Sequence, residues 1–125
     1  MILNNVLTIV LMAAAASGPS PIACNLKALT PAERARHAAL SEKLRAAAVA
    51  RQELADGLSF RLDPSAINLA ELAGWVDAER RCCPFLDFQI ALERESGGLH
   101  LTLTGRQGVK DFLLSDFARL APITK

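Results

Sequence analysis

Tyrosine is absent from this chain and aromatic residues make up only 5% of it, so the stacking platforms that grip nucleic-acid bases are not to be expected. Basic and acidic residues nearly cancel, leaving a formal net charge of +1. That removes the electrostatic footprint of a phosphate-backbone binder, and no nucleic-acid partner is expected. No CxxC and no HExxH occurs, and His37 and His100 are the only imidazoles. The three cysteines are too few for a disulfide scaffold, and their odd number leaves one unpaired in any scheme. No apolar run is long enough to cross a bilayer, which takes about 20 residues. Val6 to Ala16 has instead the length of a signal-peptide core, with Ala14 and Ala16 placed for cleavage before Ser17. Met1 to Asn5 carries no Lys or Arg, against that reading. The expectation is a cytoplasmic protein with no transmembrane span; export through a weak N-terminal signal is the alternative.

What is present is a hydrophobic fraction of 51% over 125 residues, enough for one domain with a core that does not depend on disulfides. The expected organisation is an apolar segment and linker over 1–21, then a single α+β domain over 22–121. Thr30-Pro31-Ala32-Glu33 opens a helix with a capping threonine, an early proline and a glutamate at the third position. Leu40, Leu44, Ala47 and Leu54 form its buried stripe, which His37 extends by one position, and Asp56-Gly57 ends it. Leu58 to Asp63 alternates as a half-buried strand. Asn68, with Glu71 three residues on and Ile67 and Leu72 as the staple, starts a second helix that Pro84 stops near Cys82 or Cys83. Leu86 to Glu93 and Leu99 to Thr104 alternate around the turn Glu95-Ser96-Gly97-Gly98, a hairpin. A third helix follows, with Val109, Phe112, Leu113, Phe117 and Leu120 at core spacing and Pro122 as its stop. The predicted fold is three helices on one face of a three-stranded antiparallel sheet, in the order α-β-α-β-β-α, with Ile22-Ala23-Cys24 a candidate edge strand. Phe60, Leu86 or Phe88, Ile90 and Leu101 are expected to face the helices, with Trp75 in the same core.

Chemistry concentrates at Glu79-Arg80-Arg81-Cys82-Cys83-Pro84-Phe85. Glu79 shares a helical face with both cysteines, at i+3 and i+4. A carboxylate on that largely apolar stripe needs a partner or a ligand, and Arg80 and Arg81 are nearest in sequence. Adjacent cysteines differ by about 100° around a helix. They suit soft, low-coordinate ions better than structural zinc, whose ligand pairs stand further apart. Cys24 becomes a third thiolate if the N-terminal segment folds back onto the helix end. Pro21-Ile22-Ala23-Cys24 loosely resembles a lipoprotein box, but Pro21 suits it poorly, so a free Cys24 packed near the pair is expected. The arginines should lower the thiol pKa values and the helix C-terminus should raise them. The competing readings are plain core cysteines and thiol-redox chemistry. His37 reads as an exposed or core-edge histidine and His100 as a solvated one, with a ligand role for His37 the alternative.

Ala23-Cys24-Asn25-Leu26 with Thr30-Pro31-Ala32-Glu33, then Glu79 to Leu86, then Leu103-Thr104-Gly105 with Gly108-Val109-Lys110 resembles a small uncharacterised bacterial C-C-P-F family. Its pattern is roughly A-C-x-L, E-R-x-C-C-P-F and L-T-G-x-x-G-x-K-x-F-L, and the match spans about Ile22 to Leu120. Similar domains stand alone, or are joined to or near regulators of the mercury-responsive helix-turn-helix type. The resemblance implies no established activity. It does imply that Cys24, Cys82 and Cys83 belong to one pattern with Glu79. The extension over Met1 to Pro21 departs from the shorter members. The resulting expectation is a non-catalytic soft-metal-binding domain for metal resistance or sensing. Cys24, Cys82, Cys83 and Glu79 would be its ligands for Hg, Cu(I), As(III) or Zn. A structural or protein-interaction module is the runner-up, a thiol-redox protein is third, and the oligomeric state is left open.

Overall fold

The computed structural model describes residues 18–117. The apolar run over Val6 to Ala16, and Leu120 and Pro122 at the other end, lie outside the described residues. In chain order the elements are a 3-10 turn (Leu26–Ala28), α1 (Pro31–Ala47), β1 (Ala48–Glu53), β2 (Gly57–Leu62), α2 (Leu69–Cys82), β3 (Asp87–Leu92), β4 (Leu99–Thr104) and α3 (Val109–Asp116). Among the described residues no helix is long and apolar enough to cross a membrane.

The helix starts follow their local chemistry. Thr30 and Asn68 each accept from the backbone N–H three residues on, and Glu33 and Glu71 each reach back to the cap's own N–H. Both capping boxes are therefore closed, which satisfies backbone donors that a helix start otherwise leaves unpaired. α2 ends at Cys82, with Cys83 as its C-cap, where Pro84 can no longer supply a helical N–H.

The fold is α+β with four antiparallel strands, in the order β1-β2-β4-β3, rather than three. The extra strand is the stretch expected to finish the first helix. Ala48 to Glu53 leaves α1 and pairs with β2 from Ala48↔Leu62 to Glu53↔Leu58. Alanine favours helix, but a strand here satisfies the free edge of β2, a gain that only the tertiary fold offers. Gly57 accordingly does not cap α1. It opens β2, where a Cβ would stand 1.9 Å from the Leu103 carbonyl oxygen of β4, so only glycine permits that approach. Ile22-Ala23-Cys24 forms no strand. The segment is held instead by the Asn25 backbone N–H, which donates to the Cys82 carbonyl at 2.7 Å.

Alternation sorts the sheet into two faces. Leu58, Phe60 and Leu62 of β2 and Leu99, Leu101 and Leu103 of β4 join one buried cluster with Leu40, Leu44, Leu72, Trp75 and Leu113 of the helices, with Phe88 and Ile90 packed against it. Phe60 and Ile90 both pair with Leu101, which sets the central register. On the opposite face Ser59 bonds Thr102 at 3.0 Å. His100 also lies there. It is half-buried against Glu93, Nε2 to Oε1 2.5 Å, rather than simply solvated. α3 starts at Gly108, whose φ of 94° is a left-handed conformation that glycine adopts without strain.

Candidate metal centre

α2 brings the chemistry of the chain to its own C-terminal turn. Its buried face carries Leu72, Trp75, Ala78, Glu79 and Cys82, and α1 packs across it with His37, Leu40, Leu44 and Ala47 buried. Where the two helices cross, His37 Nε2 lies 2.5 Å from Glu79 Oε2. Both side chains are buried, 8% and 7% exposed. The His37 ring stacks on Trp75 with centroids 5.7 Å apart. Trp75 Nε1–H in turn donates to Ser41 Oγ at 3.0 Å.

Glu79 does have the partner its burial requires, and neither neighbouring arginine supplies it. Arg80 turns outward to Asp77, at 2.9 Å, and Arg81 pairs with Glu33 across the α1–α2 groove. The Arg81 hydrogen bond holds the Glu33 carboxyl down to about 2. Long arginine side chains beside a helix end reach solvent-facing carboxylates more easily than one beneath them. His37, for which the sequence offers a ligand role only as the alternative, is the residue that meets Glu79. The signal available for it was its place at the head of the buried stripe of α1.

The three sulfurs converge, but only one of them as a free thiol. A disulfide joins Cys24 to Cys83, 59 residues apart in sequence, and Cys82 is the free cysteine among the described residues. Cys24 is therefore not a free thiol in this structure. The Asn25–Cys82 backbone bond folds the N-terminal segment against the end of α2 and brings Cys24 within bonding reach. Cys82 Sγ stands 3.7 Å from Cys83 Sγ. Glu79 lies between them: its Oε1 is 3.3 Å from Cys83 Sγ and its Oε2 is 3.9 Å from Cys82 Sγ. Two overlapping groups have ligand atoms within 4.8 Å of one another: Cys24, Glu79 and Cys83, and His37, Glu79 and Cys82.

The opposing effects on the thiols are resolved for Cys82. Burial first, and the Glu79 charge second, push its pKa from 9.0 up to about 11, while Arg81 pulls down and does not compensate. Asp116 is pushed up as well, by burial and then by the charge of Glu79, so negative charge is crowded at this corner. Cys82 should therefore be a poor nucleophile in the folded protein. A thiol whose pKa is raised by two units carries about 100-fold less thiolate at pH 8. Iodoacetamide labelling of Cys82 at pH 8, followed by mass spectrometry without reductant, is expected to be at least that much slower in the native protein than in urea. The sign for stability follows from the same shift. Between pH 9 and 11 the unfolded chain loses this proton first, so Cys82 should destabilise the fold as pH rises through that window. A Cys82→Ala variant should lack that loss. Native labelling as fast as in urea would show the thiol to be exposed.

Comparison with family models, with curated proteins and with solved structures returns no match for this chain.

Proposed function

We propose that this chain is a non-catalytic soft-metal-binding domain whose ligands are the thiolates of Cys24, Cys82 and Cys83, with Glu79 as a fourth or supporting group. The observation that carries the reading is the meeting of all three cysteines of the chain and one buried carboxylate at a single helix end. Reduction of the Cys24–Cys83 disulfide by a dithiol, which gives up two electrons and two protons and itself becomes a disulfide, leaves three thiols in that space. Thiolates select Hg(II), Cu(I) and arsenite over hard cations. The resemblance to the C-C-P-F family, some members of which stand near mercury-type regulators, points the same way and suits metal resistance or sensing.

The test compares proteins that are both fully reduced, so that loss of the disulfide does not enter. Titration of Hg(II) or arsenite against a competing chelator should show Cys24→Ser weaker than wild type by more than tenfold, about 1.4 kcal/mol or more. Equal affinities would remove Cys24 from the site and with it the three-thiolate reading.

Thiol-redox chemistry is the second reading, favoured by the Cys82 thiol 3.7 Å from a disulfide sulfur. It requires metal-free protein to catalyse disulfide reduction by a dithiol, with Cys82→Ala inactive. The interaction-module reading loses its simplest support, because Trp75 is 1% exposed and offers no aromatic patch.

A further inference from the structure

We propose that His37, Glu79 and Cys82 form a second, overlapping site for a borderline divalent ion, zinc above all, that is usable while the Cys24–Cys83 disulfide is intact. This inference does not rest on the three-thiolate reading, because it uses only the cysteine that the disulfide leaves free.

The three ligand atoms come from two packed helices and lie within 4.8 Å of one another, all on buried side chains. Their chemistry is mixed: one imidazole nitrogen, one carboxylate oxygen and one sulfur. That is the donor range of zinc, whereas hard cations want oxygen alone. Charge also matches, since a carboxylate and a thiolate together balance a doubly charged cation. Zinc bonds of about 2.0–2.3 Å in a tetrahedron put N and O about 3.3 Å apart and S and O about 3.6 Å apart. Cys82 Sγ is already 3.9 Å from Glu79 Oε2. His37 Nε2, at 2.5 Å, must draw back from the carboxylate by somewhat under an ångström. Its Nδ1 has no hydrogen-bond partner among the described residues, so no hydrogen bond on that side of the ring opposes the move. An ion would take the place of the direct contact between those two groups.

Three protein ligands leave one position open, as in zinc sites that keep a water or take a substrate. A cleft of about 200 Å³ reaches Glu79 and is lined also by Ser41, Arg45, Trp75 and Asp116. Of the three ligands only Glu79 lines it, so it offers a route to the site from the Glu79 side. Reduction would add Cys83 Sγ, 3.3 Å from Glu79 Oε1, and move the donor set toward sulfur. The disulfide then decides which class of ion the corner prefers.

The experiment uses the full chain without reductant, its disulfide verified by intact mass, and Co(II) and Zn(II) as the probes. The oxidised protein should bind one ion. Its Co(II) form should show a sulfur-to-metal charge-transfer band that Cys82→Ala abolishes, and His37→Gln should weaken binding at least tenfold. X-ray absorption on zinc-loaded wild type should find one sulfur among oxygen and nitrogen neighbours, which keeps the test independent of whether a variant folds. No binding by the oxidised protein, a sulfur count other than one, or a charge-transfer band that survives Cys82→Ala overturns the site. Failure here leaves the mercury titration of reduced protein untouched, and failure there leaves this result untouched.

Discussion

A Cys24→Ser/Cys83→Ser variant, kept oxidising, is expected to lose about 4 kcal/mol of stability relative to wild type. The bridge closes a separation of 59 residues, a loop that contains α1, β1, β2 and α2. Without it the unfolded chain regains the entropy of that loop, and the chain-entropy relation puts a loop of this length at about that figure. Whole domains are stable by only about 5–15 kcal/mol, so the loss would be a large fraction of the total. Urea unfolding at neutral pH measures it. Excess reductant added to wild type should reproduce most of the drop, and Cys82→Ala should not. A difference below about 1 kcal/mol would mean that the bridge does not form in solution. The corner would then hold three thiols from the outset, which would strengthen the soft-ion reading and remove redox control from it.

Trp75→Ala should cost about 3–5 kcal/mol, the range for deleting a large buried aromatic. Trp75 is among the largest fully buried side chains of the domain. Its ring meets Phe88 and Phe117 edge-on, with centroids 6.4 and 6.2 Å apart, and stacks on His37. The indole also holds Ser41, which donates to the His37 carbonyl at 2.8 Å. The variant should therefore loosen the His37–Glu79 corner as well as the core. Trp75→Phe keeps most of the apolar volume and loses the indole donor, so it should cost much less, of the order of a lost hydrogen bond plus a small cavity, about 1–2 kcal/mol. Denaturant titration of the two variants separates these contributions. A Trp75→Ala loss near zero would place the tryptophan at the surface and revive the interaction-module reading.

The arrangement around Glu79 explains why one carboxylate can sit in an otherwise apolar helix face. A buried carboxylate without a partner costs several kcal/mol. His37 meets that need from α1, and the sulfurs of Cys82 and Cys83 fill the remaining space as small apolar groups. The same neighbours that make the group tolerable in the fold are the ones a metal ion would use.

Local chemistry written in consecutive residues was legible without a structure. Asn68 and Glu71 close the cap of α2, Pro84 stops it, and Glu79 therefore shares a face with the cysteines, because capping and helical periodicity act within a few residues. The strands at Gly57–Leu62, Asp87–Leu92 and Leu99–Thr104 follow from alternation for the same reason. Three outcomes were settled only in three dimensions. Ala48–Glu53 is a strand because the edge of β2 is there to receive it, against the helix preference of its alanines. Glu79 takes His37 rather than Arg80 or Arg81 because α1 crosses α2 at that point, 42 residues away in sequence. Cys24 is a disulfide partner rather than a free thiol because the N-terminal segment is tied by its backbone to the end of α2, which brings its Cα within 4.6 Å of that of Cys83. The last two depend on contacts between segments far apart in the chain and the first on a sheet edge formed by the next strand, and helical period and capping carry no information about such contacts.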